Sequence, residues 1–93
     1  MSHVSLREQL SLLFENLTSG LKDQQVAFLH ALINGESSLT SVATMEKYGI
    51  SSSTAALRSK AALVKMDILD TIDNKIHFQD PLYKFWLETI YFR

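Results

Sequence analysis

Gly49-Ile50-Ser51-Ser52-Ser53-Thr54-Ala55-Ala56-Leu57-Arg58-Ser59-Lys60-Ala61-Ala62-Leu63-Val64-Lys65-Met66-Asp67-Ile68-Leu69-Asp70 reads, in order, as a tight turn, a serine-capped helix and the start of a strand. Glycine at 49 can take the positive φ that an L side chain resists, and Ile50 is placed to plug the angle between two helices. Ser51, Ser52 and Ser53 compete for the N-cap, because a serine oxygen satisfies the amides of the first turn. At about 100° per residue, Ala56, Ser59, Leu63 and Met66 share one side, which is expected to face the core. Thr54, Arg58, Ala61 and Lys65 share the opposite side, with Leu57 and Val64 beside them. The outward surface expected of this helix is two positive charges, a threonine and a small aliphatic patch.

On the N-terminal side of the turn, a short helix is expected from Leu39 to Lys47, with Val42, Ala43 and Met45 on its apolar side, after a polar connection at Glu36 to Ser38. On the C-terminal side, Ile68 to Ile72 and Lys75 to Gln79 are β-prone runs. Asp73-Asn74 between them suits a two-residue hairpin turn, since both residue types tolerate left-handed backbone angles. Asp80-Pro81 opens a last helix as N-cap and first helical residue. Leu82, Phe85, Trp86 and Ile90 are its expected inner stripe, with Tyr83 and Tyr91 to either side.

Further out, Ser5-Leu6-Arg7-Glu8 has the form of a capping box. It opens a helix whose Leu6, Leu10, Leu13, Phe14 and Leu17 recur at helical spacing and which is expected to end near Leu17. This stripe reads first as core packing, with dimerisation or docking of a neighbouring domain as the sharper alternative. A second helix from Lys22 to Asn34 puts Val26, Leu29, Leu32 and Ile33 inward with Phe28 flanking, and Asn34-Gly35 stops it. The element order is that of a winged helix-turn-helix: an α+β fold, mostly α, with five helices and a two-stranded β-wing. The expected organisation is a single domain over 1–93. Residues 1–20 form an N-terminal packing or lid helix, 39–66 the helix-turn-helix, 68–79 the wing and 80–93 the C-terminal helix.

Composition narrows what such a domain does. The chain has 93 residues, 46% apolar and 20% charged, enough for one modest core. The absence of cysteine excludes disulfides, zinc-thiolate sites and thiol catalysis. No apolar run approaches the ~18 residues of a membrane span and no secretory-signal pattern opens the chain, so no membrane partner and a cytoplasmic location are expected. The formal charge is −1, whereas an autonomous DNA-binding domain draws most of its affinity from a basic excess. Between Lys47 and Lys65 there are four basic residues and no acid, but Asp67, Asp70 and Asp73 follow at once.

Arg58-x-Lys60-x-Ala62-Leu63-x-x-x-Asp67-Ile68-Leu69-Asp70 precedes a wing that ends in Phe78-x-Asp80-Pro81-Leu82-Tyr83-x-x-Trp86-Leu87. These segments resemble the C-terminal winged-helix domain that follows the nucleotide-binding core in archaeal-type P-loop ATPases of the AAA superfamily, common in bacteria and archaea. The second segment is the more specific, and the resemblance covers roughly Leu21 to Leu87. It implies a prokaryotic parent protein that binds ATP elsewhere, with the nucleotide-binding domain of the same parent as partner. The chain departs from a complete ATPase in having no G-x-x-x-x-G-K-[ST] loop.

Two functions follow as expectations. The first is a non-catalytic interaction and regulatory module of such an ATPase, with weak nucleic-acid contact and homodimerisation as additional options. The second is a small winged-helix DNA-binding transcriptional regulator, with Arg58 reading guanine, Ser52, Ser53 and Thr54 near phosphates, and Lys60, Lys65 and Lys75 adding charge. The candidate contact residues are Ser52, Ser53, Thr54, Leu57, Arg58, Ala61, Val64, Lys65 and Lys75. The first function is favoured because the face is mildly cationic and partly aliphatic. No catalytic residue, cofactor or metal is expected: no base lies near the serine hydroxyls, and His3, His30 and His77 lack metal-ligand spacing. Asp67, Asp70 and Asp73 read as a solvated acidic edge.

Overall fold

The computed structural model describes residues 5–93. Residues 1–4, including His3 and the start of the expected 1–20 segment, lie outside the described residues. The rest is an α+β arrangement, mostly helical: α1 (Leu6–Ser19), α2 (Asp23–Ile33), α3 (Val42–Tyr48), α4 (Ser53–Lys65), β1 (Leu69–Ile72), β2 (Lys75–Phe78) and α5 (Pro81–Trp86). A single π-helical turn, Leu87–Tyr91, continues α5.

Local chemistry accounts for the element ends. Ser5, Ser41, Ser52 and Asp80 cap α1, α3, α4 and α5, each side-chain oxygen accepting from a first-turn amide. Of the three competing serines, Ser52 takes the cap of α4, and its Oγ accepts from the Ala55 amide at 3.0 Å. Three helices end in the same way. Glu36 N–H donates to Ala31 C=O at 3.2 Å, Ile50 N–H to Met45 C=O at 2.9 Å, and Ile68 N–H to Leu63 C=O at 3.0 Å. Each bond closes over a residue at positive φ: Gly35, Gly49 and Asp67. Asp67 is thus a helix terminator, a role its place in the acidic run disguises.

β1 and β2 pair antiparallel in the register Leu69↔Phe78, Asp70↔His77, Thr71↔Ile76 and Ile72↔Lys75. Asp73 and Asn74 both take positive φ, 53° and 63°, which gives the anticipated two-residue hairpin turn its twist. Each strand is one residue shorter than expected, because Ile68 and Gln79 lie outside the ladder.

The core is one cluster in which Phe28 and Leu29 of α2, Ala56 and Leu63 of α4, Ile50, Ile68, Leu69, and Tyr83, Trp86 and Leu87 meet. Ile50 is buried in the turn between α3 and α4, as its position suggests. Several sequence expectations are corrected. Phe28 is a central core residue and not a flank, while Val26, Leu32 and Ile33 are only half-buried. α3 starts at Val42 rather than Leu39, capped by Ser41, and Val42 and Ala43 are exposed while Thr44 is buried. Met66 ends α4 as its C-cap, beyond the core-facing side, and is exposed. α1 extends to Ser19, and of its stripe only Phe14 and Leu10 are half-buried; Leu6, Leu13 and Leu17 stand in solvent. On the last helix the buried side is Tyr83, Trp86 and Leu87, and Leu82, Phe85 and Ile90 face outward.

That last rotation has a visible cause. Thr18 Oγ1 donates to Phe14 C=O at 2.7 Å, which uses its one proton, so the Tyr83 hydroxyl donates to Thr18 at 2.7 Å. Trp86 Nε1–H donates to Ser11 Oγ at 2.9 Å. Two polar tips are satisfied only if Tyr83 and Trp86 turn toward α1, and Leu82 and Phe85 then turn away.

Candidate interaction surface

α4 is positioned by its packing on α2 and β1, which holds Ala56, Ser59 and Leu63 inward. The turn before it is fixed by Gln24 of α2. Its Oε1 accepts from Ser51 N–H at 2.9 Å and its Nε2 donates to Gly49 C=O at 3.0 Å. Gln24 is a positioning residue that sequence reasoning missed; an amide pair with one donor and one acceptor leaves no periodic signal.

With α4 so held, Ser52, Ser53, Thr54, Leu57, Arg58, Ala61 and Lys65 are exposed, as is Lys75 on the hairpin. Val64 is the correction: it is half-buried and packs against the core cluster. The aliphatic part of the outward face is therefore Leu57, 58% exposed, beside Ala61. The reason is angular, since Val64 directly follows the fully buried Leu63 and lies at the border of the buried side.

Five of the nine candidate residues line two recesses. Ser52, Thr54 and Arg58 line one at the start of α4, together with Lys22 and Gln24 of the preceding segment. Leu57 and Lys75 line the other, about 450 Å³, between α4, the hairpin and the connection at Ser37 to Thr40, with Lys60 on its wall. Ser53, Ala61, Val64 and Lys65 lie on neither wall. No protein family, curated protein or solved structure matches this chain.

Electrostatically the surface is mixed. Among the described residues the one ion pair is Lys47–Glu36 at 3.3 Å, so Arg58, Lys60, Lys65 and Lys75 have no acidic partner. Exposed Asp67 and Asp73 border this face at the end of α4 and the hairpin tip. Glu36 also accepts from the Tyr48 hydroxyl at 2.6 Å, while Asn34 Nδ2 donates to the same hydroxyl at 3.0 Å. The Tyr48 bond, and then Lys47, hold the Glu36 carboxyl below the usual carboxylate range. This network fastens the loop after α2 to α3 and stiffens one wall of the hairpin-side recess. Among the described residues no three His, Asp or Glu side chains gather where a metal ion would sit, and no helix is long and apolar enough to cross a membrane.

Proposed function

We propose that this chain is a winged-helix domain acting as a non-catalytic interaction and regulatory module, the C-terminal part of a prokaryotic AAA-type P-loop ATPase. In this reading α3, the Gly49 turn and α4 are the helix-turn-helix, and β1–β2 is the wing. The observation that carries it is the exposed Leu57 on the outward face of α4, set among few charges of both signs. An apolar side chain in that position gains free energy on meeting protein and little on meeting phosphate. The partner is the nucleotide-binding domain of the same parent, whose nucleotide state moves the module as a body. The test is association in trans with the separately expressed nucleotide-binding domain. Binding that weakens about tenfold or more in Leu57→Glu is the expected result. No association at high micromolar concentration would defeat the reading.

A second reading, a DNA-binding regulator, has one observation in its favour: Arg58 and Lys22 flank the recess at the start of α4 where Ser52 and Thr54 also sit. A helix N-terminal region with two hydroxyls and two cations suits a phosphate, although Asp23 lines the same recess and Ser52 Oγ already caps the helix. With so few cations the complex would dissolve quickly as salt rises. Low-salt binding of duplex DNA that is lost in Arg58→Glu, with no trans complex, would favour this reading over the first.

A further inference from the structure

The apolar side chains left in solvent concentrate at one place. Leu6, Leu13 and Leu17 of α1, and Leu82, Phe85 and Ile90 of the C-terminal helix, are each between 41% and 72% exposed. The two elements touch through Phe14 and Thr18 on one side and Tyr83 and Trp86 on the other. Beside that contact opens a groove of about 640 Å³, walled by Leu10, Phe14, Leu82, Phe85 and Ile90, with Arg7, Glu8 and Arg93 at its rim.

Four leucines of α1 share one stripe, with the exposed Leu12 off it. Positions 6, 10, 13 and 17 are spaced by four, three and four residues. Over the 14 residues of the helix that spacing fits a short helix-helix seam, with Leu10 and Leu17 at a and Leu6 and Leu13 at d. Phe14, one step round the helix, is committed to Tyr83 and Trp86. Among the described residues the leucine seam has no such aromatic partner, yet it adjoins the groove through Leu10, which belongs to both. One charge of α1, Arg7 at e, flanks the seam; Glu8 and Glu15 fall at f, farthest from it, and Gln9 and Asn16 fall at the flanking g positions. An identical helix laid antiparallel sets Arg7 beside the far end of its partner, away from the partner's Arg7, and so brings no like charges face to face.

The area is also of the right size. At roughly 200 Å² for a fully exposed large side chain, the six residues offer about 700 Å² per protomer, near the roughly 800 Å² per partner of a standard interface. We propose that α1 and the outer side of the C-terminal helix form the twofold interface of a homodimer, each protomer's leucine seam lying against its partner's seam and groove. This surface shares no residue with the α4 face, so the homodimer stands or falls separately from the preceding proposal.

The experiment is sedimentation velocity over a concentration series, with light scattering for mass. The expected result is a reversible shift from the 10.5 kDa monomer to twice that mass. Leu13→Glu, at the middle of the seam, and Phe85→Glu, on the other element, each raise the dimer dissociation constant about tenfold or more. Leu57→Glu leaves it unchanged. Both test positions are solvent-exposed, and an unaltered far-ultraviolet circular dichroism spectrum checks that each variant folds. A chain that stays monomeric throughout, or variants that dimerise as well as the parent, would overturn the proposal. So would a strict monomer in which Leu13→Glu abolishes binding of the nucleotide-binding domain, since that result gives this face to the other partner.

Discussion

α2 and α1 are both amphipathic helices of similar length, yet one is built into the molecule and the other lies along its edge. α2 presses Phe28, Leu29 and Ala31 against α4 and the residues around it until almost none of their surface meets water. α1 buries only Thr18 and holds its neighbour with two side-chain hydrogen bonds and the edge of Phe14. The difference teaches that leucine content does not decide where stability resides. What decides it is whether a helix has elements on more than one side. α2 lies between α3 and α4, whereas among the described residues α1 packs chiefly on the C-terminal helix.

The sharpest way to break that contrast is a pair of truncations. Leu63→Ala, at a site with no exposed surface that faces α2, is expected to cost about 2–5 kcal/mol in chemical denaturation. Leu13→Ala, measured in dilute chain, is expected to stay within about 0.5 kcal/mol of the parent. Similar losses for the two would place α1 within the cooperative core and end the comparison.

Next in size is the turn that α2 supports through Gln24. Gly49 has φ of 76°, so Gly49→Ala is expected to cost about 1–2 kcal/mol through backbone strain alone, since a Cβ there would meet no neighbouring atom. A thermal melt reads this directly.

At the junction of the two regions, Tyr83→Phe removes the hydroxyl that donates to Thr18 and is expected to cost about 1 kcal/mol. It carries a pH signature as well. Burial pushes the Tyr83 hydroxyl above its ordinary value. The folded state therefore holds this proton more tightly than the unfolded chain does. The associated stability is fully present below the unfolded pKa near about 10 and is lost as pH rises through the folded value. Tyr83→Phe should lessen the alkaline loss of stability seen in melts at rising pH.

The smallest effect is expected at Glu36, whose carboxyl is partly exposed. Its folded pKa is depressed, so its contribution is present above the ordinary carboxylate range and disappears as pH falls through the folded value. Glu36→Gln should lower the melting midpoint slightly at neutral pH and leave it unchanged in strong acid.

How much of this was legible follows the same division. Caps, turns and the hairpin were readable because they depend on single residues with few conformational options: Ser41 excepted, the caps at Ser5, Ser52 and Asp80, the positive φ at Gly49, and the Asp73-Asn74 turn were all on the expected residues or among the named candidates. The core side of α4 was readable because Ala56, Ser59 and Leu63 contrast with charged neighbours. The last helix offered no such contrast. Apolar residues occur all round it, so periodicity placed Trp86 inward correctly but could not choose between Leu82-Phe85-Ile90 and Tyr83-Leu87 as its companions; the long-range hydrogen bonds of Trp86 to Ser11 and Tyr83 to Thr18 made the choice. The candidate surface was mostly legible for the reason α4 was, with Val64 misplaced by a helix face whose boundary cuts through one side chain. Gln24 lay beyond reach because its two partners are 25 and 27 residues away.

The π-helical turn at Leu87–Tyr91 absorbs one residue more than an α-helical turn would hold. Its Phe92 N–H to Leu87 C=O bond, 2.9 Å, spans one more residue than an α-helical bond would. The Phe92 ring lies flat against His30 just beyond it, centroids 4.4 Å apart. Removing one residue between 87 and 91 would turn that bond into an ordinary α-helical one and leave Phe92 pointing nearly where it does now, since four α-helical steps and five π-helical steps each carry the chain a little over one turn. The stack on His30 is thus expected to survive a one-residue deletion that, in a plain α-helix, would swing the ring by about 100°.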